Sequence, residues 1–204
     1  MSLILYSNSE CVYCHRIRYI LAEKKIPFQL VELNPKKDAQ KIKALNPYGS
    51  LPVLQERDQT FYDADVIMYY LDERYPMPAL MPGYPVMRSK TRLAILRIER
   101  DWYAMMHMIL NADKDADVAK KALIDSFKAI EPIFASSEYF MADELSLADC
   151  TLVPLLWRLP LLGIQLNGNF GAVKTYAERL FSRDSFKKSL SKAEKQIPFV
   201  LEEE

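Results

Sequence analysis

The sequence predicts an α/β domain followed by an all-α domain. Three observations carry this reading. Up to about residue 75, short apolar runs alternate with helical patterns. A ten-residue stretch, PMPALMPGYP (76–85), then places four prolines where neither a helix nor a central strand can run. From residue 86 onward every periodic segment has helical spacing.

The first part reads element by element. SLILYS is a short apolar run suited to a buried strand, and VYCHRIRYILAEKK sets Ile17, Ile20 and Leu21 on one helical face. Ile26-Pro27 ends that helix, and FQLVEL alternates as a second strand. Strand, helix and strand of this size form a right-handed parallel unit. PKKDAQKIKAL is a short polar helix and NPYGS a turn. LPVLQE and QTFY are strands whose tight polar link makes them antiparallel, and DADVIMYYLDERY is the next helix. The order describes a four-stranded mixed sheet. The proline-rich segment is also rich in Met, Leu and Tyr, so it is expected to lie against the protein. Beyond it come four helices: 86–110, 117–134, 146–162 and 172–183. The expected division is an α/β domain at 1–76, a linker at 77–86 and a helical domain at 87–204. The closing LEEE reads as a solvated tail.

Composition narrows the function. The chain has 204 residues, with 27 Lys plus Arg balanced by 27 Asp plus Glu. A protein that binds nucleic acid by neutralising phosphates carries a basic excess, so direct sequence-specific nucleic-acid binding is not expected. No stretch of 18 apolar residues suggests a membrane span, and the N-terminus lacks a secretory pattern. Three cysteines do not make a secreted disulfide framework. A cytoplasmic protein is expected.

Cys11-Val-Tyr-Cys14 is a C-x-x-C, and His15 extends it to C-x-x-C-H. The spacing suits a dithiol redox site, haem attachment or half of a zinc site. Haem attachment goes with export, for which there is no signal. Zinc needs two further ligands, and Cys150, His15 and His107 are poorly spaced for it, so no metal is expected. The contest is between a working thiol site and two cysteines kept in an inactive one. Between a strand and a helix start, unpaired N–H groups and the helix dipole favour a thiolate at Cys11. His15, Arg16 and Arg18 add positive charge nearby, and Glu10 opposes it. Cys14, one turn on, is placed to resolve a mixed disulfide.

In SLPVLQ a proline opens the third strand. A cis Leu51–Pro52 bond would set the Leu51 backbone opposite the first helix start, ready to pair with an extended peptide. A trans proline at a strand edge is the plain alternative.

Strand-C-x-x-C-helix, then NPYGSLPVL, then DADVIMYYLDERYP resemble the cytosolic glutathione transferases. SLAD (146–149) resembles the capping box inside their helical domain. The resemblance covers essentially the whole chain. It implies a glutathione S-transferase fold, with an N-terminal thioredoxin-like domain and a C-terminal helical domain. It also implies a glutathione site at Leu51, Pro52 and Asp63. Where transferases use a Glu-Ser pair to hold the γ-glutamyl carboxylate, this chain has Asp63 and Ala64. Losing a hydrogen bond to a charged group costs about 1.5–3 kcal/mol, so glutathione binding is weakened on this reading. Asp63 also suits a plain helix cap. If thiol chemistry survives, Cys11 is the expected nucleophile and Cys14 its partner.

A narrower resemblance is to the stringent starvation protein A family. YLDERYPMPALMPGYPVMRSKTRL, RIERDWY, LADCTLVPLLWRLPLLGI and FSRDSF carry it. The family's members are bacterial transcription regulators of transferase fold that associate with RNA polymerase and generally lack transferase activity. The resemblance implies a homodimer, active in stress, that contacts polymerase holoenzyme and its housekeeping sigma subunit through protein surfaces. No cofactor is required, and glutathione is the ligand the fold allows. The partner surface would be Tyr75, Pro76, Met77, Pro78 and Tyr84. Met77 departs from the histidine usual between those prolines and leaves a flexible apolar side chain suited to a protein partner. Many relatives lack the dithiol, so a glutathione-dependent thiol transferase using Cys11 stands as the rival reading.

Overall fold

A computed structural model describes residues 3–166, 168 and 170–198; the expected LEEE tail lies outside them. Four strands form one sheet: β1 (Leu3–Ser7), β2 (Gln29–Glu32), β3 (Val53–Glu56) and β4 (Gln59–Tyr62). Their order is β2-β1-β3-β4. β1 and β2 are parallel, while β1–β3 and β3–β4 are antiparallel. Leu3, Leu5 and Ser7 of β1 are buried, the alternation a strand with one core face requires.

Helix α1 (Val12–Glu23) crosses from β1 to β2, with α2 (Ala39–Leu45) and α3 (Ala64–Arg74) following. The helix α1 is buried on nearly every side, including His15, Arg16, Arg18 and Glu23. A helix so enclosed sits in the middle of its unit. It packs against α3 and against a helix from far down the chain, α9 (Asp184–Ser189).

The chain divides into two compact units, and the division departs from the expected one. Residues up to Ala79 form the first unit together with Asp184–Gln196. Leu80–Arg183 belongs to the second. Within the expected domain at 87–204, Asp184–Gln196 packs with the first unit. Four helical stretches are legible in the sequence, but α9 and the short 3-10 turn Glu194–Gln196 are not. Their six and three residues are too few to show a period.

The second unit is helical. It holds α4 (Pro85–Arg97), α5 (Ala104–Leu110), α6 (Ala116–Ser136), α7 (Leu147–Leu156) and α8 (Gly171–Ser182). The expected long helix at 86–110 is continuous but widens to π-helical turns over Ile98–Tyr103, where Ile98, Trp102 and Tyr103 are buried. The expected helix at 146–162 stops its α-helical run at Leu156, and Leu159–Leu162 is 3-10. Pro160 supplies no N–H, and its ring would clash with the Leu156 carbonyl in a continued helix. At the start of α7, Ser146 and Asp149 form the expected capping box, with the Ser146 amide donating to Asp149 Oδ2 at 2.7 Å. The buried carboxylate also accepts from the Phe140 amide and the Tyr176 hydroxyl, each at 2.7 Å. Cys150 is fully buried, as its apolar surroundings predict. Leu80 and Met81 are buried too, and the Leu80 carbonyl accepts the Leu147 amide at 2.8 Å. That part of the proline-rich segment packs, as its composition predicts.

Candidate functional site: a thiol position at one end of the sheet

Strand register gathers the candidate residues of the first unit. Tyr6 of β1 pairs with Val53, and Val53 pairs with Tyr62. The loop after β1, the Leu51–Pro52 step before β3 and Asp63 after β4 therefore leave the sheet at the same end. The Leu51–Pro52 bond is cis, which decides between the two readings left open by the sequence. A sharp loop leads into it. Asn46 is buried and holds that loop from both sides: its amide nitrogen donates to the Ser50 carbonyl and hydroxyl, each at 2.9 Å. Its side-chain oxygen accepts the Tyr48 amide at 2.9 Å. Gly49, at φ +66°, takes the left-handed conformation that the turn needs.

Cys11 is the N-cap of α1. Its sulfur accepts the Cys14 amide at 3.5 Å, and its thiol points to the Leu51 carbonyl at 4.0 Å. The nucleophile candidate and the backbone of the cis step thus face the same space. Cys11 is half-buried, whereas Cys14 has no exposure. Cys14 accepts the Asn8 amide at 3.3 Å. Burial pushes the Cys14 thiol well above its ordinary range, the adjacent Cys11 sulfur adds to the rise, and the Asn8 amide opposes it. Neither cysteine is in a disulfide. The arrangement pairs an accessible thiol with a buried, protonated one.

The expected basic surroundings of Cys11 are different in kind. His15, Arg16 and Arg18 are buried and face ion partners. Arg16 pairs with Asp65 at 2.9 Å, and Arg18 with Glu194 Oε2 at 2.6 Å. His15 lies 3.5 Å from Glu194 Oε1 and 3.0 Å from the Ser189 hydroxyl. Arg18 also donates to the Ser7 hydroxyl at 2.7 Å and the Ser189 carbonyl at 2.8 Å. Ser191 donates to the Ser9 carbonyl at 2.6 Å. Segment 184–196 thereby braces the loop that carries Cys11. The sequence signal was three bases on one short helix, which cannot all be buried without acids brought from elsewhere.

Asp63 takes the N-cap of α3 at φ +71°. One of its oxygens accepts the Asp65 amide at 2.9 Å and the Val66 amide at 3.3 Å. Those are donors that an incoming carboxylate at this helix end would use. Ala64 follows without a hydroxyl, and Asp65 adds a second acid. Among the alternative hydroxyls, Tyr6 donates to Gln55 at 3.0 Å, and Tyr13 lies 5.8 Å under the Arg16 guanidinium.

The expected partner segment lies elsewhere in the first unit. Lys24, the residue capping the far end of α1, holds it. Its ammonium donates to the Tyr75 carbonyl at 2.7 Å and the Pro78 carbonyl at 2.6 Å. A 12-residue α1 is about 18 Å long, so the thiol position and this turn sit at opposite ends of one helix. Pro76, Met77 and Pro78 are exposed, Met77 at 79%, and the Met77–Pro78 bond is cis. Tyr84, in the second unit, is also 79% exposed. Among the described residues, no three or more His, Cys, Asp or Glu cluster to hold a metal ion, and no helix is long and apolar enough to cross a membrane.

Two domain families cover most of the chain. The glutathione S-transferase N-terminal domain matches residues 5–79, and the glutathione S-transferase C-terminal domain matches residues 93–184. A glutathione S-transferase from the Antarctic clam Laternula elliptica superposes with a TM-score of 0.85 at 18% identity, over 96% of this chain and 95% of that one. The fold and the thiol position thus define a protein of the glutathione S-transferase fold. Closer likeness is in sequence. A stringent starvation protein A homolog from Haemophilus ducreyi is 44% identical over 91% of this chain and 88% of its own length. One from Pasteurella multocida is 45% identical over 92% and 90%. The chain belongs to the stringent starvation protein A family.

Proposed function

We propose that this protein is a transcription regulator that associates with RNA polymerase holoenzyme and its housekeeping sigma subunit by protein contacts. It acts as a cytoplasmic homodimer and needs no cofactor. The observation that carries this reading is the 44–45% identity to stringent starvation protein A homologs over nearly the whole of both chains. The partner surface is the turn Tyr75, Pro76, Met77 and Pro78, with Tyr84. An exposed methionine between two prolines offers an apolar contact on a backbone of few conformations. The self-capped start of α3, with Ala64 in place of a serine, supports a regulator over a transferase.

The test is co-purification of polymerase from lysate by the tagged protein. Wild type is expected to retain polymerase and sigma, and the double variant Pro76→Ala, Pro78→Ala to lose them. Absence of both subunits from a competent wild-type pull-down would sink the reading.

One observation favours a second reading, a glutathione-dependent thiol transferase. Cys11 is accessible, caps a helix and faces the Leu51 carbonyl. Its thiolate would attack a glutathione mixed disulfide, take the glutathionyl sulfur and release the other thiol. A second glutathione thiolate would then attack, leaving glutathione disulfide and restoring Cys11. Turnover of such a disulfide by wild type, lost in Cys11→Ser, supports this reading; equal background rates end it.

A further inference from the structure

The turn at 75–78 is held by a device that no pattern in the sequence marks. A lysine ammonium carries three N–H donors, so enclosing one is costly unless oxygens meet it. The Lys24 side chain has no exposure. Three oxygens surround its nitrogen: the Tyr75 carbonyl at 2.7 Å, the Pro78 carbonyl at 2.6 Å and Asp72 Oδ1 at 2.7 Å.

The two carbonyls bracket Pro76 and Met77. Prolines 76 and 78 contribute no amide, and the Tyr75 amide is already given to the Leu71 carbonyl at 3.1 Å. The turn is therefore poor in donors of its own, and Lys24 supplies them from beneath. With the Tyr75 and Pro78 carbonyls bonded inward, the outer surface presents pyrrolidine rings and the Met77 side chain.

We propose that Lys24 is a positioning residue for partner recognition, its ammonium fixing the Tyr75–Pro78 turn so that Met77 stands out as an apolar knob for a recess on the partner. The identity of the partner rests on the polymerase reading above; the anchoring does not. A turn fixed before contact loses little backbone freedom on binding, so the partner meets a preformed shape.

The experiment compares Lys24→Met, which keeps the aliphatic stem and removes the donors, with Lys24→Arg, which keeps charge and donors. Should Lys24→Met not fold, Lys24→Gln serves with the same readouts. Amide exchange at Tyr75, whose N–H is bonded to the Leu71 carbonyl, is expected to rise at least tenfold in Lys24→Met, while β1 and β3 keep their protection. Affinity for purified bacterial polymerase holoenzyme with its housekeeping sigma subunit is expected to fall at least tenfold, with Lys24→Arg recovering most of both. Wild-type binding tests the polymerase reading, and Met77→Glu, measured in parallel, tests Met77 as the contact without touching the anchor. Unchanged exchange at Tyr75 overturns the proposal. Faster exchange with undiminished binding also overturns it, provided that Met77→Glu loses binding. If Met77→Glu and Lys24→Met both bind like wild type, the presentation of Met77 is overturned while the polymerase reading stands; if wild type itself does not bind the holoenzyme, the polymerase reading falls and the anchoring is judged by exchange alone.

Discussion

At Cys11 and Cys14, two identical side chains three positions apart have been given different chemistry by depth alone. Alkylation with iodoacetamide at pH 8 is expected to modify Cys11 and spare Cys14 and Cys150, read by mass spectrometry of peptides. Labelling of Cys14 at a matching rate would contradict its burial. The sign of the Cys14 shift gives a second expectation. Its folded pKa is raised, so its contribution to stability is complete below the unfolded thiol's pKa and is lost as pH rises through the folded value. Urea midpoints are expected to fall between pH 7.5 and 9.5, and to fall less in Cys14→Ala. The C-x-x-C spacing was legible in the sequence; the asymmetry was not. It depends on α1 being enclosed by α3 and α9, which outweighs the opposing donation from the Asn8 amide to the inner sulfur. The same enclosure turned His15, Arg16 and Arg18 from an expected basic rim into paired, buried groups. Asp63 illustrates the reverse case, because the capping preference of an aspartate before a helix is readable without any tertiary contact.

Among the elements, α1 is the one on which most of the first unit depends. It meets α9 and the 3-10 turn through Arg18, His15 and Glu194. Removing one partner of a buried ion pair leaves an uncompensated charge, at a cost of about 3–5 kcal/mol. Glu194→Gln is expected to lose stability of that order in urea unfolding. The double variant Arg18→Met, Glu194→Met is expected to be more stable than Glu194→Gln, because no charge is left buried alone. The reverse order would show that the pair itself, and not its completeness, holds the segment. Helix α7 offers a smaller change. Ser146→Ala removes the side chain of a capping box and is expected to cost about 1–2 kcal/mol, with far-ultraviolet circular dichroism otherwise unchanged. The start of α7 was readable, since a capping box acts through its own neighbours; its end at Leu156 was not, because the apolar spacing runs on to residue 162. The contact between α1 and α9 was not, since it joins residues more than 160 positions apart in sequence.

For the molecule as a whole, the fold class was legible because its signals are long: a sheet pattern, four prolines and then unbroken helical spacing. Homodimerisation is a prediction at this scale. On α4, Val86 is 67% exposed and Leu93 is 56% exposed, seven residues apart and so on one helix face. Val86→Glu with Leu93→Glu is expected to halve the mass measured by sedimentation while leaving the helical content intact; an unchanged mass would place any dimer contact elsewhere. The division into units also bears on the order in which the protein is made. A ribosome delivers β1 through α3 first, yet Asp184–Gln196, whose Glu194 meets the buried His15 and Arg18 of α1, emerges only after α4 through α8. Domains of most chains can close behind the ribosome in sequence. Here the first unit to be begun waits for the helices of the second before it is completed, and a nascent chain stalled before residue 184 carries an α/β unit with an open flank.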